Sequence, residues 1–389
     1  VPLRSDAAVP PFANTAVDGY AVRAADTAGP APGADAVRLR VIATLPAGGD
    51  PAGLHVGPGE AVRIMTGAPV PGGADAVVMV EVTSEEDGGA TVVVGEAVRE
   101  GANVRPAGED IAPGQEVFPA FTVLTPGHLG VLASIGLRRV PVFPRARVGV
   151  LSTGDELVDT GGALRPGQIR DSNRPILLGL LAEAGCVPVD LGLVRDDEAE
   201  VRAALGRGVA DCDALLTSGG VSMGEFDFVK KVLDELSGPA GDGVTWMQVA
   251  IRPAKPLSFG VVDGVPVFGL PGNPVSSMVS FELFARPALR RMMGHRHPDR
   301  PLVRAVADEA LRRHADGKTH FFRVAVSFGA DGRLHARSSG GQGSNLLRSM
   351  ALANALAVLP DGDGVDAGAE VEVMMLGDLA GVATGAAAP

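Results

Sequence analysis

Between about residues 144 and 296 the apolar positions alternate between two rhythms. Short β-branched and aliphatic runs, "ARVGVLS" (146–152), "VPVDLGLV" (187–194) and "DALLTSGG" (213–220), are separated by segments whose apolar residues fall three and four apart, "SNRPILLGLLAEAG" (172–185) and "DDEAEVRAALGRGVA" (196–210). Continuous apolar runs alternating with a 3.6-residue period predict βαβ units on a parallel sheet. Asp171 or Ser172 is placed to cap the first helix and Gly185 to stop it, while the acids opening the second sit where the helix dipole favours them. "FDFVKKVLDEL" (226–236) predicts another helix, and "VTWMQVA" (244–250) and "VPVFGL" (265–270) two closing strands. "PVSSMVSFELFARPALRRMMG" (274–294) predicts a long amphipathic helix bent at Pro287. The expectation is an α/β sandwich.

From about 16 to 111 the apolar runs are shorter and β-type, as in "AVVMVEV" (76–82) and "ATVVVGEAV" (90–98), with Gly, Pro and Asp between them. That spacing predicts a β-rich unit. Residues from about 112 to 143 read as a connector with one short helix, "PGHLGVLASIG" (126–136). Downstream, "THFFRVAVSF" and "LHARSS" flank "GADGR" (329–333), a hairpin signal, and "EVEVMML" (370–376) adds an alternating strand, so a small β domain is expected over 297–389.

Composition narrows the function classes. The 389 residues suffice for two to four compact units, and a hydrophobic share of 46% makes the 53 Gly and 30 Pro punctuation in a globular fold rather than a sign of disorder. A formal charge of −12 opposes a nucleic-acid role, and 13 Phe, one Tyr and one Trp are too few for a base-stacking surface. Cys186 and Cys212 have no CxxC spacing, so neither a disulfide framework nor a thiolate metal site is expected, and a reducing cytoplasm is. No apolar stretch approaches the ~18 residues that would span a bilayer, so no membrane anchor is expected. The opening "VPLRSDAAVPPF" shows no Met and no targeting signal, and the chain is expected to lack its natural start. His295 and His297 in "GHRHPD" read as a polar linker rather than a metal pair, and "LRRHADGK" (311–318) as a solvated charged turn.

The candidate chemistry gathers where strands end. "TGDEL" places Asp155 and Glu156 just past the carboxyl end of a parallel strand, where open α/β sheets bind ligands, although Asp155 would serve equally as a turn cap. "DALLTSGG" runs into "VSMGEFDF" (221–228), whose glycines free backbone N–H groups to approach an anion, with Ser222, Glu225 and Asp227 supplying oxygens. Asp171 in "GQIRDSN" (167–173) is a helix cap or a ligand group. In "IRPAKP" (251–256), Arg252 and Lys255 stand between prolines that stiffen the backbone, and "GLPGNPVSS" (269–277) brings Ser276 at the entry of the long helix. Fixed cations, N–H groups and a hydroxyl are the parts of an oxyanion site.

"PPFANTAVDGYAV" (10–22), "RIMTGAPVPGGADAVVMVE" (63–81), "AGEDI" (107–111), "LSTGDEL", "GQIRDSNRP", "TSGGVSMGEFDFVK", "IRPAKPLSFG" and "GLPGNPVSS" follow one another in the order found in the MoeA family. The chain resembles that family from about residue 10 to 376. The family comprises the molybdopterin molybdenumtransferases together with the E domain of gephyrin and its plant counterpart. The resemblance implies an α/β multidomain protein: a central MogA-like α/β/α sandwich with a mostly parallel sheet over 144–296, a β-rich domain over 16–111, a discontinuous connecting domain from 1–15 and 112–143, and a C-terminal β-barrel-like domain over 297–389. It implies insertion of molybdate into adenylylated molybdopterin, releasing AMP and molybdenum cofactor, with Mg²⁺ as the divalent cation.

By the same resemblance Asp227, Glu156, Asp171 and Asp18 are catalytic candidates, with Asp227 and Glu156 holding the metal. Gly219, Gly220 and Ser222 fall in the pterin phosphate loop, and Arg252, Lys255, Ser276, Arg323 and Ser344 at the molybdate site. Thr66 and Asp110 join Asp18 in the β-rich unit, which in the family completes the cleft of the other protomer of a homodimer. The adenylyltransferase that supplies the activated pterin is the implied partner. Arg252 stands where the family often has Lys, exchanging a compact ammonium for a planar fork. Thr15 and Val17 replace the common Ser and Met, and the helical segment that usually precedes "PPF" is missing. A pterin adenylyltransferase and a gephyrin-like scaffold are the competing readings. The accessory β domains oppose the first, and the lack of a partner G domain the second.

Overall fold

In the computed structural model, residues 1–28, 36–159, 161–219, 228–236 and 243–379 are described, and the chain divides into two compact units, Val1–Pro141 and Val142–Pro389.

The second unit is built on a six-stranded sheet. Its strands follow the spatial order Val187–Val194, Arg147–Thr153, Ala214–Ser218, Val265–Leu270, Pro256–Val262, Val244–Gln248. The first four are mutually parallel, Pro256–Val262 runs against them, and Val244–Gln248, antiparallel to that strand, returns to the common direction. Both faces are covered. Val148, Val150 and Leu216 pack with Leu177 and Leu181 of the helix Asn173–Glu183, while Leu151 and Leu215 pack with Leu205 of Glu198–Asp211 and Leu233 of Phe228–Leu236. Alternate strand residues thus enter opposite cores, which is why these strands read as unbroken apolar runs.

Two elements depart from the sequence reading. The strand Pro256–Val262, to which the sequence reading gives no element beyond the "IRPAKP" loop, forms a hairpin with Val265–Leu270 through Asp263 and Gly264, both at positive φ. A two-residue Asp-Gly turn of that kind matches the twist of the strands it joins. The long helix is divided into Pro274–Ser280, a π-helical turn Phe281–Ala285, and Arg286–Met292. Pro287 has no N–H to give, and the wider turn ahead of it accommodates the missing bond. Glu282 of that turn is buried against Arg300 at 2.8 Å.

The rest of this unit closes on itself. Thr319–Phe328 pairs with Leu334–Ser338, which pairs with Leu302–Ala307, then Glu370–Met375, then Ala355–Leu359, which returns to Thr319–Phe328. A five-stranded barrel has room only for small interior side chains, and Ala305, Ala307, Ala336, Ala355 and Ala357 supply them beside Val324 and Val326. One further strand, Ile251–Arg252, leaves the α/β part and pairs in parallel with Thr319 and His320. That pairing shapes the cavity described below.

The first unit carries its own six-stranded sheet, ordered Ala76–Met79, Gly19–Val22, Glu60–Ile64, Val37–Leu45, Thr91–Val94, Thr83–Glu86. Tyr20, Val22 and Val78 are buried on one side of it, Val62, Ile64 and Val77 on the other. Leu3–Arg4 pairs antiparallel with Glu116–Phe118, and Val9 bridges Ile111. Ile111, Leu132 and Ile135 share a small core with Leu3, Val9 and Phe118, so chain segments a hundred residues apart meet there. Among the described residues no helix is long and apolar enough to cross a membrane.

Candidate active site

A cavity of about 740 Å³ opens within the second unit. One wall is the segment from Gln248 to Pro256, another the Pro271–Asn273 turn with Ser276 and Gly219, and the third comes from the barrel: Lys318 and the loop Gln342–Ser344. Among the described residues that line it, none is acidic. Arg252 and Lys255 are exposed to the cavity, while Pro253 and Ala254 between them are buried. The backbone here is held at both ends: Thr319 N donates to Ala250 O at 3.0 Å, and Val249 N to Lys255 O at 2.8 Å. Among the described residues neither Arg252 nor Lys255 has an ion-pair partner. Two cations on a fixed backbone, with no carboxylate paired to them among the described residues, make an anion site whose charge is already in place.

Hydrogen bonds tie the walls together. Asn173 Nδ2 donates to Ser218 Oγ at 2.6 Å and to the Gly272 carbonyl at 2.7 Å, joining a parallel-strand end to the turn. Val275 N donates to Ser344 O at 3.2 Å, joining that turn to the barrel loop. Gly219 has φ of 90°, and a Cβ there would lie 2.9 Å from Thr153 O, so only glycine fits at this edge.

Arg323 does not line the cavity. It is fully buried beneath the loop, where Nη2 donates to Gly341 O at 2.6 Å and Gly343 O at 3.1 Å. Gln342 Oε1 accepts from Arg323 N at 2.9 Å, and Gln342 Nε2 donates to Arg323 O at 3.1 Å. Arg323 therefore shapes the loop that presents Ser344. Burial pushes its pKa down to about 10, and its Nε and Nη1 find no partner among the described residues.

The acidic candidates stand at other strand ends. Glu156 is exposed, next to Asp155, whose Oδ1 accepts from Asp196 N at 3.4 Å. Burial first, and then the charges of Asp155 and Glu156, raise the Asp196 carboxyl above its ordinary value. Asp171 is buried and used locally: Oδ1 accepts from the N–H groups of Asn173 and Arg174 at 3.1 Å, and Oδ2 from Arg174 Nε at 3.2 Å. Among the described residues no three His, Cys, Asp or Glu side chains form a metal-holding group.

In the first unit, Asp18 and Thr66 meet although 48 residues separate them. Asp18 Oδ1 accepts from both Thr66 N and Thr66 Oγ1 at 2.7 Å. Those bonds hold the Asp18 carboxyl below the usual range. Asp110 is exposed in the turn before Ile111, its N–H donating to Val9 O at 3.0 Å.

Of the residues singled out in the sequence, the structure thus gathers Gly219, Arg252, Lys255, Ser276 and Ser344 in one cavity and pairs Asp18 with Thr66. Gly220, Ser222 and Asp227 lie outside the described residues. Lys318, Asn173 and Gln342 were not foreseen. The only signal for Lys318 was a charge in a run read as solvated, and Arg313 of that run has a guanidinium without solvent exposure.

A largely parallel α/β sheet with a cationic cavity at its carboxyl edge, joined to a closed β-barrel, defines a multidomain α/β protein with an anion-binding site. Family models match most of the chain. Residues 1–136 match the MoeA N-terminal region (domain I and II), 149–291 the probable molybdopterin binding domain, and 304–376 the MoeA C-terminal region (domain IV). Molybdopterin molybdenumtransferase 2 of Mycobacterium tuberculosis (strain ATCC 25618 / H37Rv) is 42% identical over 368 residues, 94% of this chain and 89% of that one. The molybdopterin molybdenumtransferase of Haemophilus influenzae is 39% identical over 376 residues, 96% and 89% of the two chains. The crystal structure of the molybdopterin biosynthesis MoeA protein from Pyrococcus horikoshii superposes with a TM-score of 0.80 at 33% identity, covering 97% of this chain and 90% of that one. The chain belongs to the MoeA family of molybdopterin molybdenumtransferases.

Proposed function

We propose that this chain inserts molybdate into the dithiolene of adenylylated molybdopterin, releasing AMP and molybdenum cofactor. The cavity carries the reading: Arg252 and Lys255 face it on a stiff backbone, with Ser276 and Ser344 beside them and no acid among the described residues of its lining. Molybdate is a tetrahedral dianion, and such a set of cations and hydroxyls would bind it without reorganising. Arg323 acts from behind by holding the loop of Ser344. Gly219, with Gly220 and Ser222, takes the pterin phosphate, and Glu156, Asp171 and Asp227 the nucleotide side.

Glu156 and Asp227 are proposed to hold Mg²⁺ together with substrate phosphates. The donors suit it: carboxylate oxygens are hard ligands, Mg²⁺ usually takes one or two of them plus phosphates, and the crowded charge of Asp155, Glu156 and Asp196 is what a cation relieves. When bound there, Mg²⁺ would supply charge neutralisation at the phosphates.

The proposed protein is a homodimer in which Asp18, Thr66 and Asp110 of one chain complete the partner's cleft. The Asp18–Thr66 pair is preformed and exposed, which suits that role. The division into a connecting domain (1–15 and 112–143), a β-rich domain (16–111), an α/β domain (144–296) and a C-terminal domain (297–389) belongs to the same reading. An adenylylated substrate calls for an adenylyltransferase as the preceding enzyme, and two free, buried cysteines suit a reducing cytoplasm. The test supplies adenylylated molybdopterin and molybdate without ATP and measures AMP. Wild type should release it, and Lys255→Ala should need more molybdate while binding the pterin–nucleotide almost unchanged. No AMP without ATP, or a Lys255→Ala variant with wild-type molybdate dependence, would count against the reading.

A further inference from the structure

The Pro271–Asn273 turn forms one wall of the cavity and leads into the helix that carries Ser276, but it belongs to no strand or helix itself. Its central carbonyl, Gly272 O, has one hydrogen bond among the described residues, from Asn173 Nδ2 at 2.7 Å. The same nitrogen donates to Ser218 Oγ at 2.6 Å. Ser218 is a fixed anchor, because its strand is paired on both sides, with Ser218 opposite Ser152 and opposite Leu270. Asn173 opens the helix Asn173–Glu183, and its backbone N–H donates to Asp171 Oδ1 at 3.1 Å. A carbonyl only accepts, so the amide nitrogen must face Gly272, and Asn173 Oδ1 is left buried without a partner among the described residues. One amide nitrogen carries two N–H groups and serves both acceptors, whereas a hydroxyl has a single proton to give.

We infer that the Asn173 side chain is a positioning residue for the oxyanion: it fixes the Pro271–Asn273 turn against the end of the strand Ala214–Ser218 and so sets where Ser276 stands in the cavity. This rests on the oxyanion reading of the cavity. Val275 N, in the residue before Ser276, donates to Ser344 O at 3.2 Å, so the placement of the turn passes on to the barrel loop and governs both hydroxyls. A tetrahedral anion is held best by donors that need not move to meet it. Releasing the turn lets Ser276 and Ser344 shift, while Arg252 and Lys255 stay where the bonds at Ala250 and Val249 hold them. The bond to Asp171 comes from the Asn173 backbone and survives a change of side chain, so the nucleotide side keeps its geometry. The loss therefore falls on one substrate.

The experiment measures binding of molybdate and of adenylylated molybdopterin by calorimetry, with thermal unfolding as a fold check. The proteins are wild type, Asn173→Leu, Asn173→Ala, Ser218→Ala and the Asn173→Ala/Ser218→Ala double variant. Asn173→Leu keeps the approximate shape of the side chain and adds no charge, but it has no donors. It should raise the molybdate Kd about three- to thirtyfold, on the order of one to two neutral hydrogen bonds, and leave the pterin–nucleotide Kd within about twofold. A merely structural role would weaken both ligands together. Ser218→Ala should raise the molybdate Kd in the wild-type background and change it less than about twofold when Asn173→Ala is already present, because the bond it removes is then gone. If wild type binds molybdate and folded Asn173 variants bind it as tightly, or lose both ligands alike, the inference is wrong and the reading of the cavity survives. Fully multiplying effects of Asn173→Ala and Ser218→Ala also overturn it. If wild type shows no saturable molybdate binding, both fall. Should Asn173→Leu not fold, Asn173→Ala decides by the same comparison of the two ligands.

Discussion

Gly219 shows how one missing side chain shapes the cavity edge. Its φ of 90° places it in the left-handed region, and a Cβ would meet the Thr153 carbonyl oxygen at 2.9 Å. Gly192 has a similar φ of 94° but nothing within 4 Å of its Cβ position. Gly192→Ala should therefore cost only the conformational preference, about 1–2 kcal/mol, whereas Gly219→Ala adds a backbone clash beyond it. Urea unfolding of the two variants measures the difference, and equal losses would mean that the Thr153 contact relaxes at no cost. Gly219→Ala should also weaken molybdate binding, because the displaced strand end carries Ser218, through which Asn173 reaches the Gly272 turn.

At the scale of elements, the turn 313–318 is the joint between barrel and cavity. Asp316 is held down to about pH 2 in its ionisation, chiefly by Lys318, against partial desolvation and with help from His320. A carboxylate with a depressed pKa contributes stability above its unfolded value near 4, and loses that contribution as pH falls towards 2. Asp316→Asn should therefore melt below wild type at pH 6, and the gap should close between pH 4 and pH 2. A gap that persists at pH 2 would mean that the aspartate acts through shape rather than charge. The divided helix 274–292 makes a similar point: its π turn buries Glu282 where Arg300 reaches it, so the proline that would have bent a regular helix is absorbed by a turn with its own ion pair.

For the whole molecule the proposed dimer makes a combinatorial claim. Asp18 lies in the first unit and Asp227 in the second. If each cleft takes Asp18 from one chain and Asp227 from the other, an inactive Asp18→Ala protein and an inactive Asp227→Ala protein should complement one another. A mixed dimer then holds one cleft of two intact halves and one of two damaged halves. With random exchange about half the dimers are mixed, so activity should recover to roughly a quarter of wild type. Exchange is verified first with differently tagged chains. Chains that exchange and stay inactive would place the whole site within one protomer.

The parallel strands were legible because a strand buried on both faces must be apolar throughout, and "ARVGVLS", "VPVDLGLV" and "VPVFGL" are strands as expected. The cations of "IRPAKP" were legible as a rigid pair, since prolines restrict the backbone wherever it lies. The strand Pro256–Val262 was missed because its opening belongs to that same proline-bound run, although Asp263–Gly264 carried the hairpin signal. Barrel closure depends on Thr319–Phe328 finding Ala355–Leu359, and no local period encodes which strand becomes a neighbour. The run "LRRHADGK" carries the same lesson. As a string it is a charged turn, and its charges take different fates only because the Leu359 and Pro360 carbonyls, 46 and 47 residues onward, enclose the Arg313 guanidinium and leave Lys318 at the cavity wall. Burial and charge pairing are properties of what docks against a segment, and that partner comes from elsewhere in the chain.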